Sequence, residues 1–173
     1  MSVTNKNLNP TIMKRLILVL FAVLVATSAA QAQQKVTLAD CGGDSVAYVK
    51  RNFVEGKARF IGQPFSKMLD EWRSQLPVGK ILFSDTGNWP TKESERYLIT
   101  GASLQFITEE EQLYREMRKE PYTDINVRFA PPYRHNLWAL YNLRDQEGEP
   151  LGPQLYDCIR DYIVTDISFL DLK

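Results

Sequence analysis

FIGQPFSKMLDEWRSQL, residues 60–76, carries a start signal, an apolar stripe and a stop signal that agree with one another. Pro64 suits a first helical position, because its ring fixes φ near the helical value and its missing N–H would be unpaired there anyway. Phe65, Met68, Leu69, Trp72 and Leu76 fall at i, i+3, i+4, i+7 and i+11, one face of a helix, and Pro77 with Gly79 ends the run. Such a stripe is one side of a core and needs a sheet to cover it. The expected fold is therefore α+β, with this helix packed on an antiparallel sheet of about four strands.

On the N-terminal side, Gly42-Gly43 gives a flexible entry, and Asp44 or Ser45 can cap a helix through Val54, with Val46, Val49 and Phe53 on one face and Gly56 as its stop. Both helical stripes are narrow, so the two N-terminal helices are expected on the same face of the sheet. On the C-terminal side, Lys80–Ser84 is a short apolar strand, followed by turn formers Asp85–Asn88 and then Trp89-Pro90. Glu95–Ile107 reads as a longer strand whose alternation changes phase at Gly101, which a bulge there would explain. Thr108–Glu111 fits a capping box opening a short helix through Met117, Arg118 and Lys119, and fits equally a polar excursion between strands. Asp124–Ala130 is the cleanest strand, with Ile125, Val127 and Phe129 inward, Asn126 and Arg128 outward, and Pro131-Pro132 as its stop. His135–Arg144 suits a helix by spacing and a strand by alternation; its lack of β-branched residues favours the helix. Gln146–Pro153 is expected as a loop, Pro153 opens a last helix with Leu155, Cys158, Ile159 and Tyr162 on one face, and Val164–Leu172 closes the chain as a strand. In that strand Ile163, Thr165, Ile167 and Phe169 are expected to share the inner face. One or two helices thus precede the C-terminal strand.

The first 32 of the 173 residues have a separate explanation. Lys14-Arg15 precedes an eleven-residue apolar run, Leu16–Ala26, and then Ala30-Gln31-Ala32, the pattern of a secretory signal peptide with cleavage between Ala32 and Gln33. The run is too short to span a hydrocarbon core of about 30 Å, so no membrane span is expected after cleavage. Met13-Lys14-Arg15 makes a more typical bacterial signal start than Met1, so translation is expected to begin at Met13 as an alternative to Met1. The expected organisation is a signal peptide over 1–32 and one α+β domain over 33–173, periplasmic or secreted. Cys41 is not a lipidation site, since Asp40 stands where a small residue is required. Removing residues 1–32 takes away Lys6, Lys14 and Arg15 and no acid, so 21 basic against 21 acidic side chains becomes 18 against 21. A charge of about −3 provides no basic stripe for nucleic acid or for anionic lipid. In an oxidising compartment Cys41 and Cys158 are expected to pair. A loop of more than a hundred residues closed in this way stabilises by about 4 to 5 kcal/mol on the chain-entropy model.

The succession FIGQPFSKML, GASLQF, INVRFAPP and IVTDISF resembles small exported proteins of Bacteroidota with no assigned function, over most of the mature chain. Its motifs are core patterns. Two helices followed by an antiparallel sheet also resemble the layout of small envelope lipoproteins related to the β-lactamase-inhibitor-protein fold, although the helices after Pro132 depart from it.

No constellation in the chain points to catalysis. His135 is the only histidine, without partners spaced for a metal, and it reads as a structural residue. Gly101-Ala102-Ser103-Leu104-Gln105 lacks the second glycine of a nucleophile elbow, and no phosphate-cradling glycine loop occurs. Glu109–Glu111 suit a helix N-terminus, while Asp157, Asp161 and Asp166 suit a solvated face. No catalytic residue, metal or cofactor is therefore assigned. Trp89, Tyr133 and Trp138 are candidate ligand-binding aromatics, against the reading of Trp138 and Tyr141 as core and Trp89 as a loop anchor. The expected function is an exported, non-enzymatic module that contacts an envelope protein, through a free sheet edge for example. The alternative is a small-ligand or glycan-binding domain using the loop aromatics, and a hydrolase comes third.

Overall fold

The computed structural model describes residues 35–87, 96–118 and 122–172; the signal peptide, its cleavage site between Ala32 and Gln33, the two candidate start methionines and Trp89 lie outside these. The organising helix forms where its pattern places it, as α2 (Phe65–Arg73), with Pro64 as N-cap. Phe65, Met68, Leu69 and Trp72 are fully buried and Leu76 nearly so. The preceding helix, α1 (Ser45–Val49), is capped by Asp44, whose carboxylate accepts from the Ala47 N–H at 3.0 Å. It runs directly into a π-helical stretch, Lys50–Glu55, in which the wider turn moves the buried stripe to Tyr48, Val49, Asn52 and Phe53. Val46, expected on the core face, is 38 % exposed.

Four strands, β1 (Lys80–Asp85), β2 (Ile99–Gln105), β3 (Tyr122–Phe129) and β4 (Val164–Leu172), form one antiparallel sheet in chain order. Between β2 and β3 the ambiguous segment is helical, α3 (Glu109–Arg118). Between β3 and β4 come α4 (Leu137–Glu147) and α5 (Pro153–Ile159), so the ambiguous stretch resolves as helix from Leu137 and extends two residues, Gln146 and Glu147, into the expected loop. Gly148 stops α4 in the left-handed conformation at φ 68°.

Register assigns the two sheet faces. Ile81, Leu104, Ile125 and Phe169 stand side by side across the strands, as do Phe83, Ala102, Val127 and Ile167. These rows meet the helical stripes in one core, where Phe53 lies 5.3 Å from Trp72 and Phe65 lies 5.0 Å from Phe129. Two irregularities tune the pleat. Ser84 pairs with Gly101 but Asp85 with Ile99, so Thr100 is the extra residue beside the glycine that marked a phase change. Arg128 pairs with Asp166 but Phe129 with Val164, so Thr165 is looped out. The expected inner set of β4 is corrected accordingly: Val164 is buried, whereas Ile163 and Thr165 are exposed.

Side chains and loops attend to both sheet edges. The Phe83 N–H of β1 donates to the Tyr141 hydroxyl of α4 at 3.2 Å. Residues 62–64 run along the start of β4, with Gly62 N–H donating to Val164 O at 2.8 Å and Val164 N–H to Gln63 O at 3.0 Å. Lys57 Nζ then reaches the Ile167 carbonyl at 3.4 Å. These contacts occupy backbone groups that a docking strand would use.

Cys41 and Cys158, expected as a disulfide, are separate thiols. Cys41 ends a short 3-10 turn, Ala39–Cys41, with Arg51 at 3.7 Å from its sulfur. Cys158 is on α5, where burial and the nearby Asp157 and Glu147 carboxylates push its thiol pKa up. The N-terminal segment is tied elsewhere: Val36 N–H donates to Asn52 Oδ1 at 3.1 Å and Leu38 N–H to Gln75 Oε1 at 3.0 Å, which fixes it near α1 and α2.

Candidate binding face

Alternation along the strands sends Leu82, Ser84, Ser103, Asn126, Arg128, Asp166 and Ser168 to the face opposite the core rows. Ser84, Arg128 and Ser168 are exposed there. A depression of about 560 Å³ lies on this face, lined by Ser84, Thr100, Asn126, Arg128, Tyr133 and Ser168 among others. Ser103 donates a short hydrogen bond to Asn126 Oδ1, which leaves the Asn126 amide N–H groups to donate elsewhere. Gly101 forms the floor. A Cβ at this position would stand 2.4 Å from the Val127 carbonyl oxygen, so close strand approach requires glycine.

Tyr133 reaches the depression because the segment after β3 is pinned from below. Tyr162 is buried, stacks on Phe129 at 4.8 Å, and accepts at its hydroxyl from the Arg134 and His135 N–H groups at 2.9 and 3.0 Å. His135 Nδ1 lies 3.2 Å from the same hydroxyl. Burial and the neighbouring Arg134 guanidinium lower the pKa of His135, which fits a structural imidazole. The backbone of this segment also bridges to the start of β2, with Ile99 N–H donating to His135 O at 2.9 Å and Leu137 N–H to Tyr97 O at 2.7 Å.

Trp138 is not with Tyr133. It lies on α4, 58 % exposed, with Tyr97 at 6.2 Å and Tyr141 at 6.4 Å between ring centres. The reading of Trp138 as core is therefore corrected: its helix buries Leu137 and Leu140 and turns the indole outward. Of the three aromatics singled out by sequence, one lines the depression, one stands on a helix with other neighbours, and Trp89 is outside the described residues.

At the other end of the same face, Lys80 pairs with Gln105, and Asp124 follows on β3; Gln105 and Asp124 are 2 % and 6 % exposed. Gln112 of α3 comes within 3.5 Å of Lys80 Nζ. Burial raises the pKa of Asp124, opposed by hydrogen bonding from Gln105 and by the Lys80 charge. Sequence reasoning passed over this row because Gln105 and Asp124 are buried by tertiary packing and not by their own character.

A second polar cluster joins the N-terminal helices. Arg59 and Glu71 form a tight ion pair, Asn52 Nδ2 donates to Glu71 Oε1 at 2.7 Å, and Arg59 donates to Asn52 Oδ1 at 2.9 Å. Tyr48 lies beside it, and burial, with Glu71 second, pushes its phenol pKa up to about 12. All these groups are satisfied, as a structural cluster requires. A smaller groove of about 420 Å³ runs between Gly79–Ile81 and the end of α4, with charges of both signs on its walls.

Among the described residues no three His, Cys, Asp or Glu side chains gather as metal ligands, and no helix is long and apolar enough to cross a membrane. Compared with known proteins, the chain matches no family model, no curated protein and no solved structure.

Proposed function

We propose that the chain is an exported, non-enzymatic module of the bacterial envelope that contacts another protein through the open part of its sheet's polar face. One observation carries the reading. The core rows face the helices, and the opposite face keeps hydroxyl, amide and guanidinium side chains around a depression of about 560 Å³. Strand-addition at an edge, the first expectation, is less favoured, because Tyr141, Lys57 and residues 62–64 already occupy groups of β1 and β4.

The protein fixed on a support should recover one stoichiometric protein from a native envelope extract after salt washes. A Ser168→Trp variant, which fills the depression from an exposed position, should lose it while melting at the same temperature. Equal recovery by both proteins, or recovery of nothing, would sink the reading. Export is tested separately by fusing residues 1–32 to a reporter active only outside the cytoplasm, and by finding Gln33 at the mature N-terminus.

The exposed Trp138 beside Tyr97 favours a second reading, a stacking platform for a sugar ring. Tryptophan fluorescence that shifts with a glycan in the wild type and not in Trp138→Ala would support it; an unmoved spectrum across a peptidoglycan-fragment panel would remove it.

A further inference from the structure

The depression has a definite electrostatic character. Its lining contains no carboxylate, and Arg128 is its one charged side chain among the described residues. Arg128 stands opposite Asp166 in the β3–β4 ladder, which would ordinarily neutralise it. Asp166 is engaged elsewhere: Lys57 Nζ holds its carboxylate at 2.8 Å, and that hydrogen bond, ahead of the charges of Lys57 and Arg128, keeps its pKa below the ordinary carboxylate value. Among the described residues Arg128 makes no direct hydrogen bond or ion pair, so its planar fork of N–H donors faces solvent beside the depression.

Donors surround this guanidinium. The Asn126 amide has its oxygen taken by Ser103 and keeps its N–H groups, while Ser168, Thr165 and Tyr133 supply hydroxyls. A planar anion with two acceptor oxygens matches the set: the fork takes both oxygens in parallel, and the amide and hydroxyls satisfy the remaining lone pairs. A cation would meet Arg128 with no opposing carboxylate in the lining, and an apolar group would leave these donors unpaired.

We propose that the depression receives an Asp or Glu carboxylate carried on an acidic segment of the partner protein, with Arg128 as its bidentate anchor. The inference rests on the reading of the chain as a protein-contact module. Arg128 then supplies specificity more than bulk affinity, since the wrong partner, presenting a Lys or an apolar residue at this point, is refused.

The test is a titration of the 15N-labelled protein with an acetylated, amidated tri-glutamate peptide, its tri-glutamine counterpart and inorganic phosphate. The Arg128 Nε–Hε signal and the backbone amides of Asn126, Thr165 and Ser168 report on the site. The glutamate peptide should shift them saturably and the glutamine peptide should not. Arg128→Ala should weaken the response by about tenfold or more, the ordinary worth of a charge-assisted hydrogen bond, and Arg128→Lys should fall between. Absence of saturation, indifference to Arg128→Ala, or an equal response to phosphate would overturn the carboxylate assignment. The capture experiment separates this inference from the reading beneath it. A partner lost by Ser168→Trp but kept in full by Arg128→Ala leaves the protein-contact reading standing and overturns the inference, whereas recovery of no partner by the wild type overturns both.

Discussion

Asp124 shows how far a single residue departs from its sequence character. It belongs to the outward set of a half-buried strand, yet it is 6 % exposed, and its Oδ1 has no hydrogen-bond partner among the described residues. Burial raises its folded-state pKa above the ordinary 3.8. The folded chain therefore holds the proton more tightly than the unfolded chain. Its contribution to stability is full below the ordinary carboxylate range and is lost as pH rises through the folded value. We predict that melting temperature falls over that window and that Asp124→Asn flattens the fall; an unchanged pH profile in the variant would refute the assignment. Glu71 makes the opposite case, an acid of α2 that the structure pairs with Arg59, their side chains only 10 % and 14 % exposed. Glu71→Ala should destabilise by about 3 kcal/mol, because it leaves the guanidinium largely buried and unpaired. Replacing both partners, Arg59→Met with Glu71→Leu, should recover most of that loss in chemical denaturation.

At the scale of elements, close approach and capping decide what propensity leaves open. Gly101 was legible as a phase change, and the ladder places Thr100 beside it as the unpaired residue. Gly101→Ala should destabilise by about 1–3 kcal/mol, since its Cβ meets the Val127 carbonyl and the β2–β3 spacing must give. A variant as stable as the wild type would show that the strands can separate freely. The start of α5 was legible in Pro153, but its cap was not. Glu147, eight residues before Leu155, accepts from the Gln154 and Leu155 N–H groups at 2.7 and 3.1 Å. No local motif predicts a cap delivered from the preceding helix, because the turn at Gly148 is what brings the carboxylate round.

Over the whole molecule, the helices other than α3 gather on one side of a four-stranded meander, and the other side keeps a polar face with α3 at one end of it. That division follows from the alternating patterns of β3 and β4 and the stripe of α2. The closure expected from a Cys41–Cys158 bridge does not follow, since chain ends that lie far apart in sequence come together only if packing brings their side chains within bonding reach. Thiol titration of the denatured, unreduced protein should count two thiols per chain. A count of zero would mean that the termini are joined and the N-terminal segment seated differently.

The sequence by itself determined the α+β class, the order of the elements other than α3, the inward residues of α2 and β3, and the breaks at Gly56, Gly101 and Pro131, all of which depend on contacts within a few residues of one another. Tertiary structure alone decided that α1 widens into a π-helix, that Trp138 faces outward, and that Cys41 and Cys158 stay apart. It also decided that Arg128 borders a depression while Lys57 engages its natural counter-ion. Each of these depends on where distant segments meet, and a one-dimensional pattern records which side chains seek burial without recording which partner arrives to cover them.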